Sequence, residues 1–155
     1  MRKLQPPAHL SRFEALCRER GIPATVQRRA IFQELMASGD HPTARRIYRA
    51  VHRQVPGISQ TTVYRGLELL VDMGLARKAS TPGNECRYDP RTRRHHHLIC
   101  TKCGAMADLE DPALDALPLP SRRRTGFRLD DYSIQFLGLC PACSRTRRPR
   151  ARKVP

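Results

Sequence analysis

The sequence predicts an α+β fold with helices gathered in its first half and strands in its second, and three observations carry that prediction. Apolar residues recur at helical spacing through the first 80 residues, and beyond Arg94 the period falls to two. Four cysteines stand as two C-x-x-C pairs, both in the second half. The basic surplus is placed unevenly: residues 1–80 carry 14 basic and 6 acidic side chains, the tail from Arg145 to Pro155 adds six basic ones, and the stretch between is nearly neutral.

Four helices account for the first part. Leu10, Phe13, Leu16 and Cys17 make one apolar stripe that stops at Gly21. Thr25 caps a second helix with Val26, Ala30, Ile31 and Leu35 facing inward. Thr43 caps a third, where Ala44, Ile47, Tyr48, Val51 and Val55 repeat until Pro56-Gly57. Ser59 caps the fourth, with Val63, Leu67, Leu70 and Val71 inward and Gly74 at its end. Its first turn, Gln60, Thr61 and Thr62, is polar, and Tyr64 and Arg65 face away from the core. A short turn, Val55 to Ile58, joins it to its predecessor, as in a helix-turn-helix whose second helix enters the major groove. Two extended segments, Leu75–Ala79 and Glu85–Asp89, flank the turn Thr81-Pro82-Gly83-Asn84 and form a wing. The basic surplus is what favours a winged helix-turn-helix over any other small helical bundle.

Arg91-Thr92-Arg93-Arg94 is a hinge, so the expected domains are 1–90, 91–145 and a basic disordered tail, 146–155. In the second domain Tyr132, Ile134 and Phe136 alternate with Ser133, Gln135 and Leu137 as in a half-buried strand. Leu98-Ile99 and Ala105–Ala107 give two more strands, and Asp111–Leu117 a short helix. With 5% aromatics and no Trp, so small a domain has a thin core that a metal staple would support.

Cys100, Cys103, Cys140 and Cys143 supply that staple. Two such knuckles with 36 residues between them close a tetrahedral S4 shell, which suits structural zinc because no coordination position is left open. Iron or an iron–sulfur cluster is the alternative for an S4 donor set. Cys17 reads as a small core residue, and Cys86 lies in the wing. On a strand leading into Cys100, His95 and His97 share one face and His96 takes the other. An i, i+2 imidazole pair chelates a metal, with Asp89 and Asp108 close by in sequence; the plain alternative is a solvated histidine run beside Arg93-Arg94. Nitrogen and carboxylate donors suit Fe(II), Mn(II), Zn(II) or Ni(II).

A net charge of +15 confined largely to one half and a tail points to a polyanion, nucleic acid before membrane, over a merely solvated surface. No apolar run of about 18 residues is present for a membrane span, and the N-terminus lacks the apolar stretch of a secretory signal, so a cytoplasmic protein is expected.

The runs His41-Pro42-Thr43-Ala44-Arg45-Arg46-Ile47-Tyr48, Thr61 to Leu70, His95 to Gly104 and Gly138 to Cys143 together resemble the ferric-uptake regulator (Fur) family, in one collinear order over residues 10 to 145. The resemblance implies a cytoplasmic homodimeric repressor with an N-terminal winged helix for operator DNA and a C-terminal α/β dimerisation domain. Gln60, Thr61, Thr62, Tyr64 and Arg65 are the residues that the helix-turn-helix reading turns toward DNA, and the resemblance implies that His41, Asp89, His95, His97 and Asp108 form a regulatory site for Fe(II) or Mn(II), with Zn(II) as the alternative. Asp108, where many relatives carry Glu, resembles the peroxide-responsive branch; an iron- or zinc-uptake regulator without redox chemistry is the second reading. The family's additional metal site falls on Arg94, His96, Asp115 and Tyr132, where Arg94 cannot ligate and Tyr132 rarely does, so the loss of that site is expected. Pro23 stands where some relatives place a Lys that reaches the minor groove, leaving Arg20 or Arg28 as substitutes. Two other classes compete. A zinc deaminase needs a His-x-Glu motif, and Leu98 follows His97. A zinc-ribbon adaptor for protein partners would have no use for the polar turn at Gln60.

Overall fold

The computed structural model describes residues 8–80 and 86–145. The chain divides into two compact units, one up to Thr92 and one from Arg93. The turn of the wing and the basic tail lie outside the described residues. Among the described residues no helix is long and apolar enough to cross a membrane.

The first unit holds α1 (Ala8–Glu19), α2 (Val26–Ala37), α3 (Ala44–Gln54) and α4 (Gln60–Asp72), followed by β1 (Arg77–Ser80) and β2 (Cys86–Asp89). Three helix starts are fixed by hydroxyls. Thr25, Thr43 and Ser59 each accept a hydrogen bond from the amide three residues on, which satisfies a donor that the first turn leaves open. Gly74, at φ +69°, ends the last helix in a left-handed conformation that few other residues adopt at low cost.

Helical spacing then decides the core. Phe13, Cys17, Ile31, Phe32, Leu35, Ile47, Val51, Val63, Leu67 and Leu70 are all buried in one cluster, with Phe13 and Phe32 stacked at 4.8 Å. Burial of each large side chain contributes roughly 1.5–3 kcal/mol. α2 and α4 approach closely at Gly66, where an added Cβ would lie 2.6 Å from the Ile31 Cδ1 methyl. One expectation fails here: Val26, at the first position of α2, is 69% exposed, because the helix has not yet reached the core at that point. β1 and β2 pair antiparallel, with Lys78 opposite Tyr88 and Arg77 opposite Asp89.

The second unit is a three-stranded sheet in the order β4 (Met106–Leu109), β3 (His96–Cys100), β5 (Gln135–Gly138). β4 runs antiparallel to β3 and β5 parallel to it. Short helices α5 (Pro112–Asp115), α6 (Arg122–Thr125) and α7 (Pro141–Arg145) complete it, and Asp111 caps α5. The half-buried strand expected over 132–138 is corrected. The strand begins only at Gln135 and all four of its residues are exposed, Phe136 at 41% and Leu137 at 59%. Only the approach residues Tyr132 and Ile134 are partly covered. The alternation is real, but β5 is the edge strand of the sheet, and among the described residues nothing covers Phe136 or Leu137 as the central strand β3 is covered. Leu98, Phe136 and Leu139 therefore line an apolar groove of about 270 Å³.

Candidate functional site

The parallel pairing of β3 with β5 builds the cysteine site. It sets Cys100 opposite Gly138, so both strands end at one edge, and Thr101 N donates to Gly138 O at 2.8 Å. Each knuckle then turns back on itself: Gly104 N donates to Cys100 O and Ser144 N to Cys140 O. One ligand atom from each of Cys100, Cys103, Cys140 and Cys143 falls within 4.8 Å of the others. Cys103 and Cys140 Sγ are 3.7 Å apart, close to the edge of a tetrahedron with Zn–S bonds of ~2.3 Å, about 3.8 Å. All four thiols are free of disulfides. Backbone N–H donors from the two knuckles pull the Cys100 thiol down to about 6, whereas the neighbouring sulfurs push Cys143 up to about 12. A cation at the centre would relieve that crowding of thiolates, and the set fits structural zinc.

The three adjacent histidines are all buried, at 5%, 0% and 7% exposure, which rules out a solvated run. Their hydrogen bonds divide them by role. His95 Nδ1 lies 2.9 Å from the carbonyl of Arg93, so that nitrogen carries the proton and Nε2 offers a lone pair. That Nε2 is 3.1 Å from His97 Nε2 and 3.7 Å from Asp108 Oδ1, and Asp108 sits directly opposite His97 in the β3–β4 ladder. Nitrogen lone pairs this close are repulsive unless a proton or a cation lies between them.

His96 is the opposite tautomer. Its Nδ1 accepts from Ile134 N at 3.2 Å, which places the proton on Nε2, 3.4 Å from Asp115 Oδ1. Its ring stacks on Tyr132 at 6.0 Å. Arg94 completes this cluster by pairing with Asp131 at 3.0 Å, donating to Asp115 O at 3.1 Å, and lying 4.7 Å over the Tyr132 ring. Tyr132 Oη donates to Leu114 O and accepts from Leu117 N. A guanidinium thus stands among Arg94, His96, Asp115 and Tyr132, the positions on which the resemblance places an additional metal site.

In the first unit, His41 Nε2 faces Asp89 Oδ2 at 3.4 Å, and both side chains are almost fully buried. Asp89 Oδ1 is engaged by Arg91 N at 2.7 Å, which turns Oδ2 toward the histidine. His41 has φ +48°, a left-handed conformation that costs a non-glycine residue on the order of 1–3 kcal/mol and tends to mark functional sites. Arg87 Nη1 donates to His41 O at 3.1 Å. The sequence reading passed over Arg87 and the Arg93 carbonyl; no local pattern flags a side chain that holds a ligand's backbone, or a main-chain acceptor.

On α4, Gln60, Thr61, Tyr64 and Arg65 are exposed. Thr62 is half-buried, its amide and hydroxyl both bonded to Ser59 Oγ in the cap, at 3.0 and 2.9 Å. Arg28 Nη1 donates to Pro23 O and Arg20 Nη1 to Asp72 O, so both residues considered in place of a basic residue at position 23 already have a carbonyl partner.

A model of the ferric uptake regulator family matches residues 19–137. The peroxide-responsive repressor PerR of Staphylococcus epidermidis is 34% identical over 129 residues, covering 83% of this chain and 86% of that protein. Among solved structures, a zinc-bound manganese uptake regulator is 34% identical with a TM-score of 0.63, over 82% of this chain and 97% of the other. The Helicobacter pylori ferric uptake regulator Fur, whose structure reveals three functional metal-binding sites, superposes with a TM-score of 0.74 over 93% of this chain and 97% of its own. At 22% identity that likeness bears on the fold alone.

Proposed function

The chain belongs to the ferric uptake regulator family, and on that premise we propose that it is a metal-dependent, homodimeric DNA-binding repressor of the cytoplasm. Its second unit is held by a permanent structural zinc on Cys100, Cys103, Cys140 and Cys143. Its regulatory ion is bound by His41 and Asp89 of the first unit together with His95, His97 and Asp108 of the second. Three nitrogens and two carboxylates form a donor set for Fe(II) or Mn(II) rather than for a soft metal.

The observation that carries this reading is the pair of imidazole Nε2 atoms 3.1 Å apart, with the His95 tautomer set by the Arg93 carbonyl. That pair is prepared for a cation before one arrives. An ion with ligands from both units would couple the first unit to the second. In a dimer, that coupling would set the spacing of the two α4 helices along the duplex. Gln60, Thr61, Tyr64 and Arg65 would then reach base edges, and the basic first unit would neutralise phosphates. The exposed apolar face at Leu98, Phe136 and Leu139 is the surface a second copy would cover.

Peroxide sensing is the favoured form of this regulation. It is supported by the similarity to the staphylococcal PerR and by the short carboxylate Asp108. Fe(II) held by these residues would supply the electron that peroxide takes up, itself going to Fe(III), with His95 and His97 as the nearest oxidisable ligands. A plain metal-availability sensor is the second reading, favoured by the 34% identity to the manganese uptake regulator. One experiment separates the two: measure the affinity of the zinc-loaded protein for a duplex that it selects from a random pool, with Mn(II) or Fe(II), before and after peroxide. Loss of binding confined to the Fe(II) form supports peroxide sensing. Equal resistance of both forms contradicts it and leaves the metal sensor.

A further inference from the structure

Three consecutive residues of β2 connect the buried His41–Asp89 pair to α4. Arg87 Nη1 donates to His41 O at 3.1 Å, Tyr88 N donates to Pro42 O at 3.0 Å, and Asp89 faces His41 Nε2 at 3.4 Å. From the middle of this run the Tyr88 side chain reaches the opposite way. Its Oη donates to Glu68 Oε1 on α4 at 2.9 Å. The other oxygen of the same carboxylate takes Lys78 Nζ, from the residue opposite Tyr88 across the hairpin. Both strands of the wing are therefore tied to one point on the helix. That point is not remote from the DNA-facing residues: Glu68 lies four residues after Tyr64 and three after Arg65, on the same stripe of α4.

Tyr88 is 2% exposed, and its ring belongs to the core cluster. A packing role needs only the ring. The hydroxyl adds a directional bond between a strand that carries one member of the proposed metal site and the helix proposed to read DNA.

We propose that Tyr88 and Glu68 form the positioning contact that passes the state of the His41–Asp89 pair to the DNA-reading face of α4. An ion held by His41 and Asp89 would fix β2 against the 41–42 segment, because Arg87, Tyr88 and Asp89 are all bonded to or facing that segment. The Tyr88 hydroxyl then carries that constraint to Glu68, and Lys78 holds the carboxylate in register with the other strand. This inference rests on the metal-dependent reading above and goes beyond it by naming the route.

The test uses the full chain loaded with zinc and the selected duplex, with affinity read at zero and at saturating Mn(II). The quantity compared is the gain in affinity caused by Mn(II), so a direct effect of either residue on DNA divides out. Tyr88→Phe keeps the ring and removes the bond; Glu68→Ala removes the acceptor; Glu68→Gln restores an acceptor without the charge. In both of the first two variants the Mn(II)-induced gain should shrink about tenfold, with Mn(II) affinity in the absence of DNA unchanged within about twofold. Glu68→Gln should recover most of the gain, and the double variant Tyr88→Phe/Glu68→Ala should lose no more than either single one. A full gain in Tyr88→Phe, or a loss in Glu68→Ala that adds to that of Tyr88→Phe, overturns the coupling. Should Tyr88→Phe fail to fold, the contrast between Glu68→Ala and Glu68→Gln decides, since equal gains in the two overturn it. A wild-type protein whose affinity ignores Mn(II) overturns the metal reading itself, and the coupling with it.

Discussion

Cys100, Cys103, Cys140 and Cys143 all belong to one unit and hang from turns at the ends of two adjacent parallel strands, whereas the five nitrogen and carboxylate residues proposed as regulatory ligands come from two units. The cysteine set is closed: four sulfurs, tight knuckles, and a Cys103–Cys140 separation that already matches a zinc tetrahedron. The histidine–aspartate set is open by design. Each half is preorganised on its own, His95 by a carbonyl and Asp89 by an amide. A site complete within one unit contributes to that unit's folding free energy. A site completed only by two units contributes to the equilibrium between their arrangements, which is what a switch requires.

The largest expected effect separates the two sites by stability. Cys103→Ser should release the zinc and unfold the second unit, since structural zinc contributes on the order of 10–16 kcal/mol in small zinc peptides. Zinc content and circular dichroism check this, and a folded, zinc-free second unit would show that the cysteine site is not a structural staple. His97→Ala should do the reverse, retaining one tightly held zinc and an unchanged melting temperature while losing the roughly 5–150-fold metal-dependent gain in DNA affinity. Intact activation in that variant would sink the five-ligand assignment. Arg65→Ala lies outside both metal sites and should weaken binding to the selected duplex by about 1–3 kcal/mol if it reads a base, with the metal-dependent gain preserved. An unchanged affinity and salt slope would take Arg65 out of the interface.

The smallest effect concerns the cluster around His96. Arg94→Ala removes a half-exposed ion pair with Asp131 and a contact over Tyr132, and should lower stability by only about 1 kcal/mol. Metal analysis of wild type and variant alike should show two kinds of site, the zinc and the exchangeable ion. A third bound equivalent in the wild type would mean that Arg94 does not stand in for an ion.

Local chemistry made much of this legible before the structure. Hydroxyls at Thr25, Thr43 and Ser59 announced three helix starts, and the cysteine spacing announced the S4 site, because capping and chelation depend on residues close in sequence. The alternation from Tyr132 to Leu137 announced a strand but misjudged its burial, since a period of two says nothing about whether a second layer exists. Long-range bonds were invisible for the same reason. Nothing near Arg87 signals its bond to the His41 carbonyl 46 residues away, and nothing near Tyr88 signals Glu68. Thr62, expected on the DNA-facing turn, also belongs to the helix cap, its amide and hydroxyl both bonded to Ser59 Oγ.

The separation of scaffold from switch is tested most directly by mild chelation of the fully loaded protein, following metal content, secondary structure and affinity for the selected duplex in one titration. The account predicts that the exchangeable ion leaves first and DNA affinity falls with it, while one zinc per chain and the full helical and strand content remain. DNA affinity that persists until the zinc is lost, or that disappears only as the second unit unfolds, would contradict it.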